Sequence, residues 1–84
     1  MLKIVRNADY WKWANRVHED DAPCIICGRG AGSNAPVVHV HNGGDSVVTS
    51  EEAATLDDAG DLGLQPIGRN CLKKHPEYLP YVKG

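Results

Sequence analysis

Cys24-Ile25-Ile26-Cys27-Gly28-Arg29, answered far downstream by Pro66-Ile67-Gly68-Arg69-Asn70-Cys71, is the stretch on which this chain turns. Two cysteines with two residues between them, followed by glycine, have the local shape of a zinc knuckle. Both thiolates reach one tetrahedral ion, and the turn between them aims backbone N–H groups at the sulfurs. Gly28 suits that turn because it takes positive φ without a Cβ clash. Three cysteines supply three ligands. A closed site therefore draws its fourth from the histidines, His18, His39, His41 and His75.

The 84 residues make a single domain, 1–84. A chain of this size sits near the lower limit for a self-sufficient core, and a structural metal is a common supplement. The formal charge of −2 excludes a protein that holds polyanions through its overall charge. The charge is uneven, however. Asp45, Glu51, Glu52, Asp57, Asp58 and Asp61 form an acid-only run, whereas Arg69, Lys73, Lys74 and Lys83 make the C-terminal end mildly basic. No apolar run approaches the ~20 residues that span a bilayer. Residues 1–6 are too short and too charged for a signal-peptide core. An odd cysteine count without an export signal argues against a disulfide framework, so the cytoplasm is the expected compartment.

Reading outward from the knuckle, Leu2 to Val5 suggests a short strand. Asn7 or Asp9 can cap a helix from Tyr10 to Glu19, with Tyr10, Trp13, Ala14 and Val17 on its buried stripe. Trp11 lies off that stripe, either covering the edge of a small core or anchoring a partner. Val37 to His41 reads as a strand, Asn42-Gly43-Gly44-Asp45 as a hairpin turn, and Ser46 to Thr49 as the returning strand. Ser50-Glu51-Glu52 starts a short helix ending by Leu56. Leu64 to Ile67 is an extended approach to a last short helix, capped by Asn70 and running from Cys71, before Pro76 and Pro80 interrupt the tail. Knuckle, hairpin, then a cysteine at a helix start is the order of a treble-clef zinc module. The expected fold is a small α+β zinc-binding domain of that kind, with the N-terminal helix (residues 1–22) packed on a zinc module (residues 23–79).

Two histidines compete for the fourth position. Cys71 and His75 lie one helical turn apart, a normal zinc spacing, although Pro76 disfavours helical geometry at His75. His39 sits on the hairpin, where a strand holds a ligand rigidly, and His41 shares its face. Spacing alone places His75 slightly ahead. A redox C-x-x-C normally opens a helix in a thioredoxin-like setting, which does not surround Cys24. A treble-clef nuclease needs a catalytic histidine beside a second ligand set, and none is apparent around His39 and His41. No catalytic residues are assigned, and the chain reads as a non-enzyme.

The combined pattern resembles a loose family of small zinc-binding proteins of bacteriophages, plasmids and actinobacterial mobile elements. The residues that carry it are the C-x-x-C-G-R knuckle, Val38-His39 leading to Asn42-Gly43-Gly44, Asp58 to Gly63, Pro66-Ile67-Gly68, and Cys71 followed by Lys73-Lys74. The likeness spans residues 23–79 and omits the tryptophan-bearing helix. It implies one structural Zn2+ held by Cys24, Cys27, His39 and Cys71, with His75 as runner-up, because the histidine of the Val-His pair recurs in the family and the position of His75 is often aliphatic. The family carries no established activity, so the resemblance supports the metal and leaves the function open; a phage-encoded member would work in the host cytoplasm. The acidic run from Asp45 to Asp61 and the off-stripe Trp11 suggest a small protein of a phage or mobile element that binds a host protein as a regulator or inhibitor. The alternative is a nucleic-acid-binding module using Arg29, Arg69, Lys73 and Lys74.

Overall fold

The computed structural model describes residues 1–18, 21–32, 34–57 and 59–83. The expected helix end at Glu19 and the acid Asp58 lie outside the described residues. The chain is α+β: a curled antiparallel sheet with short helices around it. Its elements are β1 (Leu2–Lys3), α1 (Tyr10–Ala14), β2 (Val37–His41), β3 (Ser46–Val48), α2 (Ser50–Thr55), β4 (Gly63–Pro66), α3 (Arg69–Lys74) and β5 (Val82–Lys83). Single 3₁₀ segments fill Asn42–Gly44 and Pro76–Tyr81.

β2 is the centre of the sheet. β4 pairs along one side of it, with Val37 opposite Pro66 and His39 opposite Leu64. On the other side β3 pairs with its second half, His39 opposite Val48 and Val40 opposite Val47. β5 pairs with its first half, Val38 opposite Val82, and β1 extends the sheet beyond β3. The hairpin forms where Asn-Gly-Gly was expected to form it. Asn42 takes φ 57°, which asparagine tolerates, and His41 Nδ1 accepts a bond from the Asn42 amide at 2.8 Å.

Alternation along β2 divides the molecule. Val38 and Val40 point into one core with Ile4, Ile25, Ile26, Val47, Ile67 and Tyr78, and that core contains Cys24 and Cys71. His39 and His41 point to the opposite face, where Val48 and Ser46 are their cross-strand partners. Val48, Ser46 and His41 are buried there too.

The helices follow local chemistry. α2 begins with a capping box: the Glu52 amide donates to Thr49 Oγ1 at 3.2 Å, and the Thr49 amide donates to Glu52 Oε1 at 3.1 Å. α1 is shorter than the spacing predicts. Asp9 precedes it, but its carboxylate accepts the Trp13 indole N–H at 3.0 Å and caps no backbone amide. After Ala14 the chain tightens into turns, with Arg16 N bonded to Trp13 O and Val17 N to Ala14 O. The expected stripe of Tyr10, Trp13, Ala14 and Val17 is half-buried, while Trp11 stays 68 % exposed and covers no core edge. α3 starts at Arg69 with Gly68 as its N-cap, two residues ahead of the expected start, and Asn70 is inside it. Past Pro76 the tail packs firmly. Tyr78 is buried, its hydroxyl accepting the Val5 amide at 3.2 Å and donating to Lys3 O at 3.3 Å.

Candidate metal centre

The knuckle is built by its own backbone. Gly28 N donates to Cys24 O at 2.9 Å and Cys24 N to Arg29 O at 2.8 Å, closing a turn that requires Gly28 at φ 78°. α1 lies directly on that turn. A Cβ at Gly28 would sit 2.2 Å from the Tyr10 carbonyl oxygen, so only glycine permits the approach. Arg29 stacks over Trp13 with its guanidinium 4.3 Å from the ring centroid, which fixes the helix to the knuckle from outside.

α3 brings the third thiol. The sulfurs of Cys24, Cys27 and Cys71 all lie within 4.8 Å of one another, and all three are free thiols. A tetrahedral zinc with ~2.3 Å bonds sets sulfur separations of about 3.8 Å, so the cluster is within small side-chain adjustments of a metal-binding geometry. Backbone donors already face it. Gly68 N reaches Cys24 Sγ at 3.1 Å and Ile26 N reaches it at 3.5 Å. This donor set suits a soft divalent cation: sulfur-rich, half shielded from water, with N–H groups placed to stabilise thiolate charge.

The protons of the cluster are divided unequally. Burial raises the Cys24 thiol, but the N–H groups of Cys27, Gly68 and Ile26 and a hydrogen bond with Cys71 outweigh it, leaving Cys24 below its ordinary value. Burial pushes Cys71 up to about 12, reinforced by the charge of Cys24 and hydrogen bonding with Cys27. Three thiolates so close repel one another, and a cation is the physical means of holding all three ionised.

The structure does not bring His39 to the cysteines. It lies on the face of β2 opposite Val38 and Val40, whereas the cysteines lie with those valines. Its Nε2 is bonded to Asp61 Oδ1 at 2.7 Å instead. Asp61 is held below the usual carboxylate range by the Gly63 amide, with His39 adding to it. His75 is placed differently. It lines a cavity of about 320 Å3 together with Cys27 and Cys71, and its Nδ1 faces Glu77 Oε1 at 3.4 Å. The acidic run is largely occupied by the chain itself: Glu52 in the capping box, Asp57 on the Ala59 amide and Asp61 as described. Of the cations, Arg29 and Arg69 border the cysteine cluster, Lys74 lines the cavity of His75, and Lys73 faces a separate groove. Sequence reasoning missed that groove, because its walls come from segments 30 residues apart or more, with no local pattern linking them.

Comparison of the chain with protein-family models, curated sequences and solved structures gave no match. Among the described residues, no helix is long and apolar enough to cross a membrane.

Proposed function

We propose that Cys24, Cys27 and Cys71 hold one structural Zn2+, with His75 as the fourth ligand, in a treble-clef-like arrangement. On this reading the ion staples the knuckle to α3. The protein is then a small, non-enzymatic module that acts by binding a partner protein. The convergence of three thiols from two segments 44 residues apart carries the reading. His75 is favoured over His39 because it shares a cavity with two of the thiols. With Nδ1 turned towards Glu77, its Nε2 is left for the metal, the carboxylate–histidine–metal pattern common around zinc. When bound, Zn2+ supplies charge neutralisation and a cross-link. The chain supplies thiolates, N–H donors and the packing that orients them.

Native mass spectrometry of reduced wild type, Cys71→Ser, His75→Ala and His39→Ala, with zinc-release titration on each, tests this. One zinc per chain is expected, lost in Cys71→Ser, weakened in His75→Ala and unaltered in His39→Ala. Zinc weakened by His39→Ala alone would return the fourth position to the hairpin. A reduced wild type that binds no zinc would end the metal reading.

A further inference from the structure

Between α3, the segment that leads into β2 and the tail after Pro76, the surface opens into a groove of about 520 Å3. Its apolar walls are Ala35, Pro36, Leu72, Pro76 and Leu79, and Leu79 is 56 % exposed. Arg69 and Lys73, one helical turn apart on α3, line it as well. Among the described residues, no carboxylate lines the groove. Among the described residues neither cation has an ion-pair partner; the Arg69 guanidinium donates to the Asn34 carbonyl instead, at 2.6 Å.

This combination is selective. Walls of leucine and proline gain from a bulky apolar side chain, and two unneutralised cations gain from carboxylates beside it. The volume falls within the ~300–1,000 Å3 range of sites that enclose a ligand. Among the described residues, no aromatic face lines the groove on which a nucleic-acid base could stack. Among the described residues most of the acids already have partners within the chain, which disfavours a second copy as the occupant.

We propose that this groove receives a short acidic segment of a partner protein, with one leucine-like or aromatic side chain seated between Leu72 and Leu79 and carboxylates against Arg69 and Lys73. The inference rests on the binding-module reading and gives its partner a chemistry. It also links the groove to the metal centre, since Cys71 lies on α3 between Arg69 and Lys73 and sets where that helix sits.

The test is selection of a displayed random linear peptide library against the full chain, with the zinc content measured on the same sample. The expected result is a consensus of Asp or Glu flanking Leu, Phe or Trp. A labelled synthetic consensus peptide should bind in fluorescence anisotropy, weaken about tenfold on Leu79→Asp and severalfold on Lys73→Glu, and weaken further as salt rises. Both side chains are exposed, so these variants should keep the wild-type circular dichroism and zinc content. Failure to enrich a consensus, a neutral or basic consensus, or equal binding by the variants would overturn the proposal. So would displacement of the peptide by a single-stranded oligonucleotide, or a wild-type dimer abolished by Leu79→Asp. If the chain held no zinc yet selected the acidic consensus, the metal reading would fail while the groove assignment stood.

Discussion

Gly28→Ala is the sharpest probe of how the knuckle and α1 fit together. Two costs are involved. Gly28 has φ 78°, and placing alanine in left-handed backbone costs about 1–2 kcal/mol. The added Cβ would also stand 2.2 Å from the Tyr10 carbonyl oxygen and 3.1 Å from the Ala14 amide nitrogen. Carbon–oxygen contacts settle near ~3.3–3.6 Å, so α1 must retreat by about 1 Å. Overpacking of that kind costs a further ~1–3 kcal/mol. Gly32→Ala is the control: its φ is 89°, but nothing lies within 4 Å of a Cβ there, so only the backbone cost applies. Alanine also stiffens the unfolded chain, an effect common to both variants that cancels in their comparison. Urea unfolding of the zinc-loaded proteins, followed by fluorescence of Trp11 and Trp13, should show Gly28→Ala less stable than Gly32→Ala by about 1–3 kcal/mol. Equal stabilities would mean that α1 does not rest on the knuckle turn.

Further outcomes follow from the core, the cap and the acid on the second face. Ile67 is fully buried between β4 and α3, so Ile67→Ala should lower the unfolding free energy by about 2–5 kcal/mol in the same assay. Thr49→Ala removes the Oγ1 that accepts the Glu52 amide in the α2 capping box, leaving the bond from the residue 49 amide to Glu52 in place, and should cost about 1 kcal/mol, measurable as a lowered Tm. The folded-state pKa of Asp61 is depressed, so its contribution is complete above the usual carboxylate value and lost as pH falls through the lowered one. Stability should therefore decline below about pH 4, and Asp61→Asn should show a smaller decline when the two pH profiles are subtracted. A profile unchanged by Asp61→Asn would mean the bonds to Gly63 and His39 add nothing in solution.

Much of this arrangement was readable in the sequence because it is local. The knuckle turn, β2, the Asn-Gly-Gly turn and α2 each rest on chemistry within a few residues. The cysteine cluster was readable because few other residue types bring that chemistry. The position of His39 was not. Alternation told that His39 and His41 share a face, but which face meets the knuckle depends on how Ile25 and Ile26 pack against Val38 and Val40. The resemblance favoured His39, and the structure pairs it with Asp61, a residue within the same resembling pattern. α1 was overextended because helical spacing says nothing of an Asp9 side chain that prefers the Trp13 indole to the backbone. The tail after Pro76 looked like an interruption, since the ring of Tyr78 finds its partners more than 70 residues earlier.

The contact between knuckle and sheet bears on self-association. β4 is an outer strand, with Leu64 57 % exposed on it. Unpaired strand margins of that kind invite another chain to add itself. Here the margin is closed at one end. Pro66 has no N–H to offer, and the amide of Ile25, inside the knuckle, takes the Pro66 carbonyl at 3.1 Å. The knuckle thus also acts as a stopper on the sheet, and on the proposed reading a metal holds it in place. Stripping the metal would loosen that stopper before the sheet itself comes apart, leaving a short apolar ladder free to recruit neighbours. Chelated protein should form intermolecular β-structure at concentrations where the loaded protein stays monodisperse.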